Sequence, residues 1–170
     1  VAMMLKKGAH KLSQDQVFAL SKVDPRLGRG MVSRELFTTL KKLGYNTGPG
    51  WHKINSNDDK AVDPLWQALT ADLTRGIPSI VCMRYDDKPN TTEHFRLILG
   101  FNASTKELIY HEPAIDKGSY QRMTKKKFVK LWPLKYSKST WTVIRFRLAA
   151  KVTIPKLVKP KSWTPAELCR

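Results

Sequence analysis

Three short apolar runs between residues 76 and 114 constrain the fold more than any other part of the chain. They span residues 77–85, 95–101 and 107–111, and each is rich in Ile, Val, Leu, Phe or Tyr. Residues that favour turns, namely Asp, Pro, Asn, Gly and Ser, separate the runs. This pattern is typical of consecutive strands joined by turns. The sequence therefore predicts a group of neighbouring antiparallel strands.

A histidine and a carboxylate stand at the ends of two of these runs. His94 opens the second run, and Glu112 follows the third run, directly before Pro113. The turn at 102–107 makes these two strands antiparallel neighbours, so their outer ends reach the same edge of the sheet. We expect the two side chains to meet there, where the carboxylate can hold the imidazole in one tautomer.

Helical patterns flank the strands. Three amphipathic segments precede them, and one short segment follows them before a last strand at 141–148. Helical segments grouped before a run of antiparallel strands indicate the α+β class. The residues predicted to cap or open the four helices are Ser13, Ser33, the pair Asp63-Pro64, and Thr124.

The strings GIPSIVCMRY, EHFRLILGFN, IYHEPA and GSYQRMTKKKFVKLW resemble the bacteriocin-processing (double-glycine) cysteine peptidase-like family. In that family a GIPVIV strand precedes a GHFVVVTGY strand with the catalytic His, and a vNDPA segment carries the acid. The resemblance implies a papain-like α+β fold, with N-terminal helices packed on an antiparallel sheet. It assigns the catalytic positions to His94 and Glu112. The chain differs from the family in having Glu93 in place of Gly and His111-Glu112 in place of Asn-Asp.

The nucleophile of that family is a Cys at the start of the first long helix, in a CGPAALAMVL-like run. The VAMML string that begins at Val1 is similar to the second half of that run, which implies a nucleophile about five residues before Val1. A helix N-terminus and a nearby His both favour a thiolate. The alternative is a helix that only buries apolar side chains.

The two cysteines of the chain do not occupy that position. Cys82 lies inside the first apolar run, so we predict a buried thiol that is not the nucleophile. Cys169 is the penultimate residue. A disulfide between the two thiols is compatible with the sequence, but nothing in the sequence requires it.

Two functions of different classes remain. The first is a cysteine peptidase domain that hydrolyses a peptide or protein substrate, with His94 moving the proton and Glu112 orienting His94. The second is a catalytically inactive papain-like domain that binds a peptide or an anionic polymer. We expect no cofactor, and no metal site, since CxxC and HExxH patterns are missing from the sequence. The resemblance also implies a bacterial protein that is secreted, or exposed at the cell surface or in the periplasm.

The net charge of +17 is unevenly distributed. Residues 122–170 hold 14 Lys or Arg against one acid, whereas residues 1–121 hold 17 against 13. Basic segments favour anionic surfaces or polymers, which we expect to bind within 122–161, although such charge also simply keeps a protein soluble. The composition of residues 151–170, rich in Pro and Lys, predicts an extended basic tail or linker that follows a domain at residues 1–150. No apolar run is long enough to span a bilayer.

Overall fold

The computed structural model describes residues 12–150. The chain divides into two compact units, one that includes residues 12–45 and one formed by Asn46–Ala149. The predictions for VAMML and for the basic tail fall on residues 1–11 and 151–170, which lie outside the described residues. Among residues 12–150, no helix combines the length and the apolar character needed to cross a membrane.

The first unit contains two helices, α1 (Gln14–Ser21) and α2 (Ser33–Lys42), with a 3-10 turn at Pro25–Leu27 between them. Ser13 caps α1 as predicted, because its hydroxyl accepts the Gln16 amide at 3.1 Å while the Gln16 side chain accepts the Ser13 amide at 2.7 Å. This reciprocal arrangement satisfies two amides that the helix itself leaves unpaired.

The predicted cap of α2 is wrong by one residue. Ser33 is the first residue of the helix, and Val32 occupies the cap position. The Glu35 carboxylate accepts the Val32 amide at 2.9 Å and is itself held by Arg29 at 2.8 Å. A carboxylate in the first turn therefore satisfies the helix start in place of the serine hydroxyl.

The second unit is built on an antiparallel sheet of six strands. The two-residue strands Tyr45–Asn46 (β1) and Ala149–Ala150 (β8) lie at the positions in the sequence where one unit ends and the other begins. The elements between them are β2 (Trp51–Ile54), α3 (Asp59–Thr74), β3 (Ser79–Arg84), β4 (Glu93–Asn102), β5 (Glu107–His111), β6 (Gln121–Thr124), α4 (Lys125–Leu131) and β7 (Trp141–Arg147).

The sheet order is β2-β7-β3-β4-β5-β6, and every neighbouring pair is antiparallel. The three apolar runs of the sequence form β3, β4 and β5, which lie side by side inside the sheet, with β7 on one side and β6 on the other. The prediction of consecutive antiparallel strands is confirmed. Together with the helices, the sheet gives an α+β fold, as expected from the sequence.

Two local predictions need correction. The third helix starts at Asp59 instead of at Pro64, because the Asp58 carboxylate caps it by accepting the Ala61 amide at 2.8 Å. Pro64 lies inside α3, where a proline removes one helical hydrogen bond, a loss that sixteen helical residues and a buried apolar stripe outweigh. The strand β6 was not expected, since only Met123 of its four residues is apolar.

The core lies between the helices α3 and α4 and one face of the sheet, here called the covered face. Trp66 of α3 lies edge-on to Phe101, with ring centroids 5.6 Å apart, and its centroid lies 5.7 Å from that of Phe128 in α4. Thr124 caps α4 as predicted, by accepting the Lys127 amide at 3.3 Å. The buried residues of this core are Val62, Trp66, Leu69, Leu73, Val81, Met83, Ile98, Leu108, Met123, Phe128, Val129, Leu131, Trp132 and Val143.

A buried ion pair ties the end of α3 to the sheet. Asp72 is 3% exposed and accepts hydrogen bonds from Arg145 and Arg147 of β7 and from Arg75. Burial opposes the charged form of Asp72, but the hydrogen bonds from Arg147 and Arg145 outweigh it and hold the pKa of the carboxyl at about 2. This link joins residues more than seventy positions apart.

We predict that Asp72→Asn destabilises the protein by about 3 kcal/mol at pH 7, because it leaves the buried Arg145 without its counter-charge. The pKa of Asp72 is lower in the folded state, so its contribution is complete above about pH 4 and is lost as the pH falls towards about 2. Urea unfolding of both proteins at pH 7, 4 and 2.5 should show a stability difference that shrinks on acidification. Asp63→Asn, at the exposed pair with Lys125, is the matched control and should cost much less. A difference that is constant with pH would contradict the prediction.

Candidate active site

The structure brings His94 and Glu112 together at one edge of the sheet, where the sequence placed them. His94 is the second residue of β4, and Glu112 is the first residue after β5. The His94 Nε2 donates to Glu112 Oε1 at 2.5 Å. The His94 side chain is 20% exposed and that of Glu112 is 5% exposed. The imidazole therefore has one nitrogen fixed on a buried carboxylate and an open side towards solvent.

The backbone after β5 holds Glu112 in this position. The Glu112 amide donates to the Gly118 carbonyl at 2.7 Å, and the Ala114 amide donates to the Glu112 Oε1 at 3.1 Å. A Cβ on Gly118 would lie 1.8 Å from the Glu112 carbonyl oxygen, which is impossible without moving the backbone. Gly118 is therefore required by the close approach of the two chain segments, a role that its sequence neighbourhood did not reveal.

Arg96 is the member of the site that sequence reasoning missed. Its Nε donates to Glu112 Oε2 at 2.7 Å, so both carboxylate oxygens are occupied. Its two terminal nitrogens donate to the carbonyls of Arg84 at 3.1 Å and Tyr85 at 2.7 Å. Arg96 is 5% exposed. The only sequence signal was its spacing of two residues from His94, which places both side chains on the same face of β4.

Two tyrosines enclose the cluster. The ring of Tyr85 lies edge-on to the His94 ring at 5.3 Å between centroids, and the Arg96 guanidinium lies 5.4 Å from the Tyr85 ring and 5.7 Å from the Tyr110 ring. Burial raises the pKa of Tyr110, and the positive charge of Arg96 opposes that rise. Both rings add cation–π contacts to Arg96, and the Tyr85 ring packs against His94.

His111 does not belong to the site, although it precedes Glu112 in the chain. Its Cα is paired with that of Leu97, so its side chain lies on the face opposite to that of Arg96. The Tyr120 amide donates to His111 Nδ1 at 3.0 Å, and the two rings are 4.8 Å apart. The strand period that brings Glu112 to His94 turns His111 away.

Cys82 lies in β3 and is 3% exposed. Burial, together with the negative charge of Glu93, raises the pKa of the Cys82 thiol to about 12. The thiol contacts Glu93 Oε2 at 3.7 Å, and the Tyr136 hydroxyl donates to the same oxygen at 2.7 Å. Burial and the same carboxylate raise the pKa of Tyr136. Cys82 lies on the face opposite to His94, since the two residues are in adjacent pairs of the β3–β4 ladder.

The described residues include no group of three His, Cys, Asp or Glu side chains that could hold a metal ion. The chemistry that this cluster offers is proton transfer at His94. Its Nε2 is held by Glu112, and its Nδ1 has no hydrogen-bond partner among residues 12–150. An imidazole fixed in this way can accept a proton at Nδ1 while the carboxylate stabilises the resulting cation.

We predict that Cys82 reacts with iodoacetamide roughly a thousandfold more slowly in the native protein than in urea at pH 8, because the thiolate is the reactive form. The Cys169→Ser variant leaves Cys82 as the only thiol in the sequence given and removes ambiguity. Intact mass measured over time reports the rate. Equal rates in native buffer and in urea would contradict the burial of this thiol.

We also predict that Arg96→Met costs about 3 kcal/mol of stability, because it leaves the Glu112 carboxylate buried without its cation. The double variant with Glu112→Gln should cost less than the sum of the single changes, by about 1–3 kcal/mol. Urea unfolding of the four proteins gives this coupling energy. Additive effects would show that the pair is not energetically linked.

The model of the Peptidase_C39 like family matches residues 1–140 of the chain, which include every member of the cluster. No curated protein matches the chain. The match spans most of the chain, and it bears out the resemblance of the strings around His94 and Glu112 to a cysteine peptidase-like family. The chain therefore belongs to the Peptidase_C39 like family and is a cysteine peptidase-like domain.

Proposed function

We propose that this chain is a cysteine peptidase domain of papain-like fold, in which His94 transfers protons and Glu112 orients His94. The contact that carries the proposal is the 2.5 Å hydrogen bond from His94 Nε2 to the buried Glu112 carboxylate. The family supports peptide hydrolysis as the reaction class. The finer expectation, a bacterial and secreted or surface-exposed enzyme of the bacteriocin-processing (double-glycine) type, rests on the sequence strings alone.

The nucleophile in this proposal is a thiol outside the described residues, expected just before Val1 from the resemblance of VAMML. Cys82 does not fit the role, since its thiol is buried and lies on the wrong face of the sheet. His94 Nδ1 is the nitrogen that takes the thiol proton, because Nε2 is already committed to Glu112. A thiolate next to the resulting imidazolium is a strong nucleophile at neutral pH.

The reaction then follows in two steps. The thiolate attacks the peptide carbonyl, a C–S bond forms, and the C–N bond breaks as His94 Nδ1 returns its proton to the leaving amine. In the second step His94 removes a proton from water, and the hydroxyl attacks the thioester. The thioester C–S bond breaks, the carboxylic acid leaves, and the sulfur returns to the thiolate paired with the protonated His94.

The ion pair with Arg96 explains how a glutamate serves where the family pattern has an aspartate. A glutamate side chain has one more rotatable bond, and an unrestrained carboxylate would lose part of its orienting effect on His94. Arg96 holds one oxygen at 2.7 Å and leaves the other on His94, while the Ala114 amide also binds that second oxygen at 3.1 Å. Three donors therefore fix the longer side chain.

We predict that His94→Ala lowers kcat for peptide hydrolysis by about 10²–10⁴ without changing the fold. Glu112→Gln keeps the side-chain volume and removes the charge, so we expect a smaller loss of kcat. The assay uses the protein with its natural upstream residues and fluorogenic peptides, including one with a Gly-Gly cleavage site. Circular dichroism confirms that each variant is folded.

His111→Ala is the matched control, because it removes an imidazole from the same sheet but from the opposite face. It should leave kcat unchanged. Full hydrolysis by His94→Ala would overturn the assignment of the base. A natural protein that binds these peptides but hydrolyses none of them would establish the inactive binding domain instead.

A further inference from the structure

A second site with its own chemistry lies at the other end of the covered face, around a cavity of about 350 Å³. The chain segment 47–52, the helix α3 and the strand β7 form its walls. In the β3 ladder, Ser79 pairs with Arg147 of this cavity and Met83 pairs with His94, so the two sites are four residues apart along the strand, or about 13 Å. The cavity is therefore separate from the His94 cluster.

The cavity carries an excess of positive charge. Three arginines line it, Arg75, Arg145 and Arg147, and the one carboxylate in its lining is Asp72. All three guanidinium groups donate to Asp72, which uses both of its oxygens. One negative charge cannot balance three positive charges, so the lining keeps a net charge of +2.

Guanidinium donors also remain unused. In Arg145, which is 7% exposed, Nε donates to the Ser79 hydroxyl at 3.0 Å and one terminal nitrogen donates to Asp72. The other terminal nitrogen, Nη1, has no partner within the described part of the chain. The only fully enclosed side-chain nitrogen without a partner among those residues is Nε of Arg84, so Nη1 of Arg145 keeps some access to solvent, and Arg145 is one of the residues that line the cavity.

Arg145 and Arg147 are held in place before any ligand arrives. The Arg145 amide donates to the Gly50 carbonyl at 2.9 Å, and the Arg147 amide donates to the Thr47 carbonyl at 3.1 Å. A Cβ on Gly48, which has φ +67°, would lie 3.3 Å from Cδ of Arg147, so the segment packs tightly against this side chain. Fixed donors lose little entropy on binding, which favours affinity.

We propose that this cavity binds a small ligand with an oxyanion group, a carboxylate or a phosphate, through the free guanidinium donors of Arg145, Arg147 and Arg75. The planar fork of a guanidinium matches the paired oxygens of both groups. Because Arg145 is buried, its charge-assisted hydrogen bonds are stronger than those of an arginine on an open surface. The ligand neutralises the charge that Asp72 leaves uncompensated.

The test is a titration of the full chain with inorganic phosphate and, separately, with citrate, each at constant ionic strength set by sodium chloride. Thermal unfolding and the Arg Nε–Hε NMR signals report binding. The wild-type protein should show saturable stabilisation by at least one of the two anions, with movement of the Arg145 and Arg147 signals. Arg147→Gln should weaken the apparent affinity about tenfold.

Arg122→Gln is the matched control, since it removes the same charge from an exposed arginine of β6 that pairs with Glu107. It should leave the affinity unchanged. If Arg147→Gln fails to fold, Arg75→Gln tests the same site, because that side chain is 64% exposed and its loss leaves the core intact.

Saturation by phosphate alone identifies a phosphate ligand, and saturation by citrate alone identifies a carboxylate ligand. Stabilisation that does not saturate, or that is equal in wild type, Arg147→Gln and Arg122→Gln, is a general salt effect and overturns the proposal. Absence of any response to both anions also overturns it, and then the arginines serve only to anchor Asp72.

Discussion

Two ion pairs, Arg96 with Glu112 and Arg145 with Asp72, contain all four buried charged residues in the part of the chain that the structure describes. Burying an unpaired charge in an apolar core is so unfavourable that each of these groups requires its partner. The covered face of the sheet therefore holds its buried charges at two points, while apolar side chains form the core cluster. The packing of α3 and the position of His94 both depend on this pairing.

Arg96 and Arg145 lie in the same row of paired residues across the sheet, and their side chains extend in opposite directions along the strands. Val81 of β3 pairs with Arg96 on one side and with Arg145 on the other. Arg96 reaches towards the carbonyls of Arg84 and Tyr85, whereas Arg145 reaches back to Ser79. Val81 thus lies between the arginine that holds Glu112 and the arginine that lines the cavity.

The covered face also explains why the strand β3 cannot supply the proposed nucleophile. Strand alternation sends Val81 and Met83 into the core and turns Cys82 to the opposite face, where burial and Glu93 disfavour its thiolate. His94 lies directly beside Met83 and not beside Cys82. The geometry that builds the His94–Glu112 contact therefore excludes Cys82 from it.

Local sequence was enough to predict β3, β4 and β5 and to place His94 next to Glu112. Strand alternation and a short turn are local properties, and they fix which strand ends meet. The start of α3 was misjudged because proline at the first helical turn is the commoner pattern, whereas here the Asp58 cap lies six residues earlier. The strand β6 escaped notice because it exists through its pairing with β5 and not through its own composition.

By itself, the sequence determined the α+β class, the central strands and the His94–Glu112 pair, because periodicity and turn residues act over a few positions. Only the tertiary structure decided that Arg96 holds Glu112 and that Arg145 holds Asp72, a pair that is 73 positions apart. No periodic pattern indicates which arginine becomes buried or which carboxylate meets it. That choice is made when the helices close on the sheet and every buried charge must find its partner.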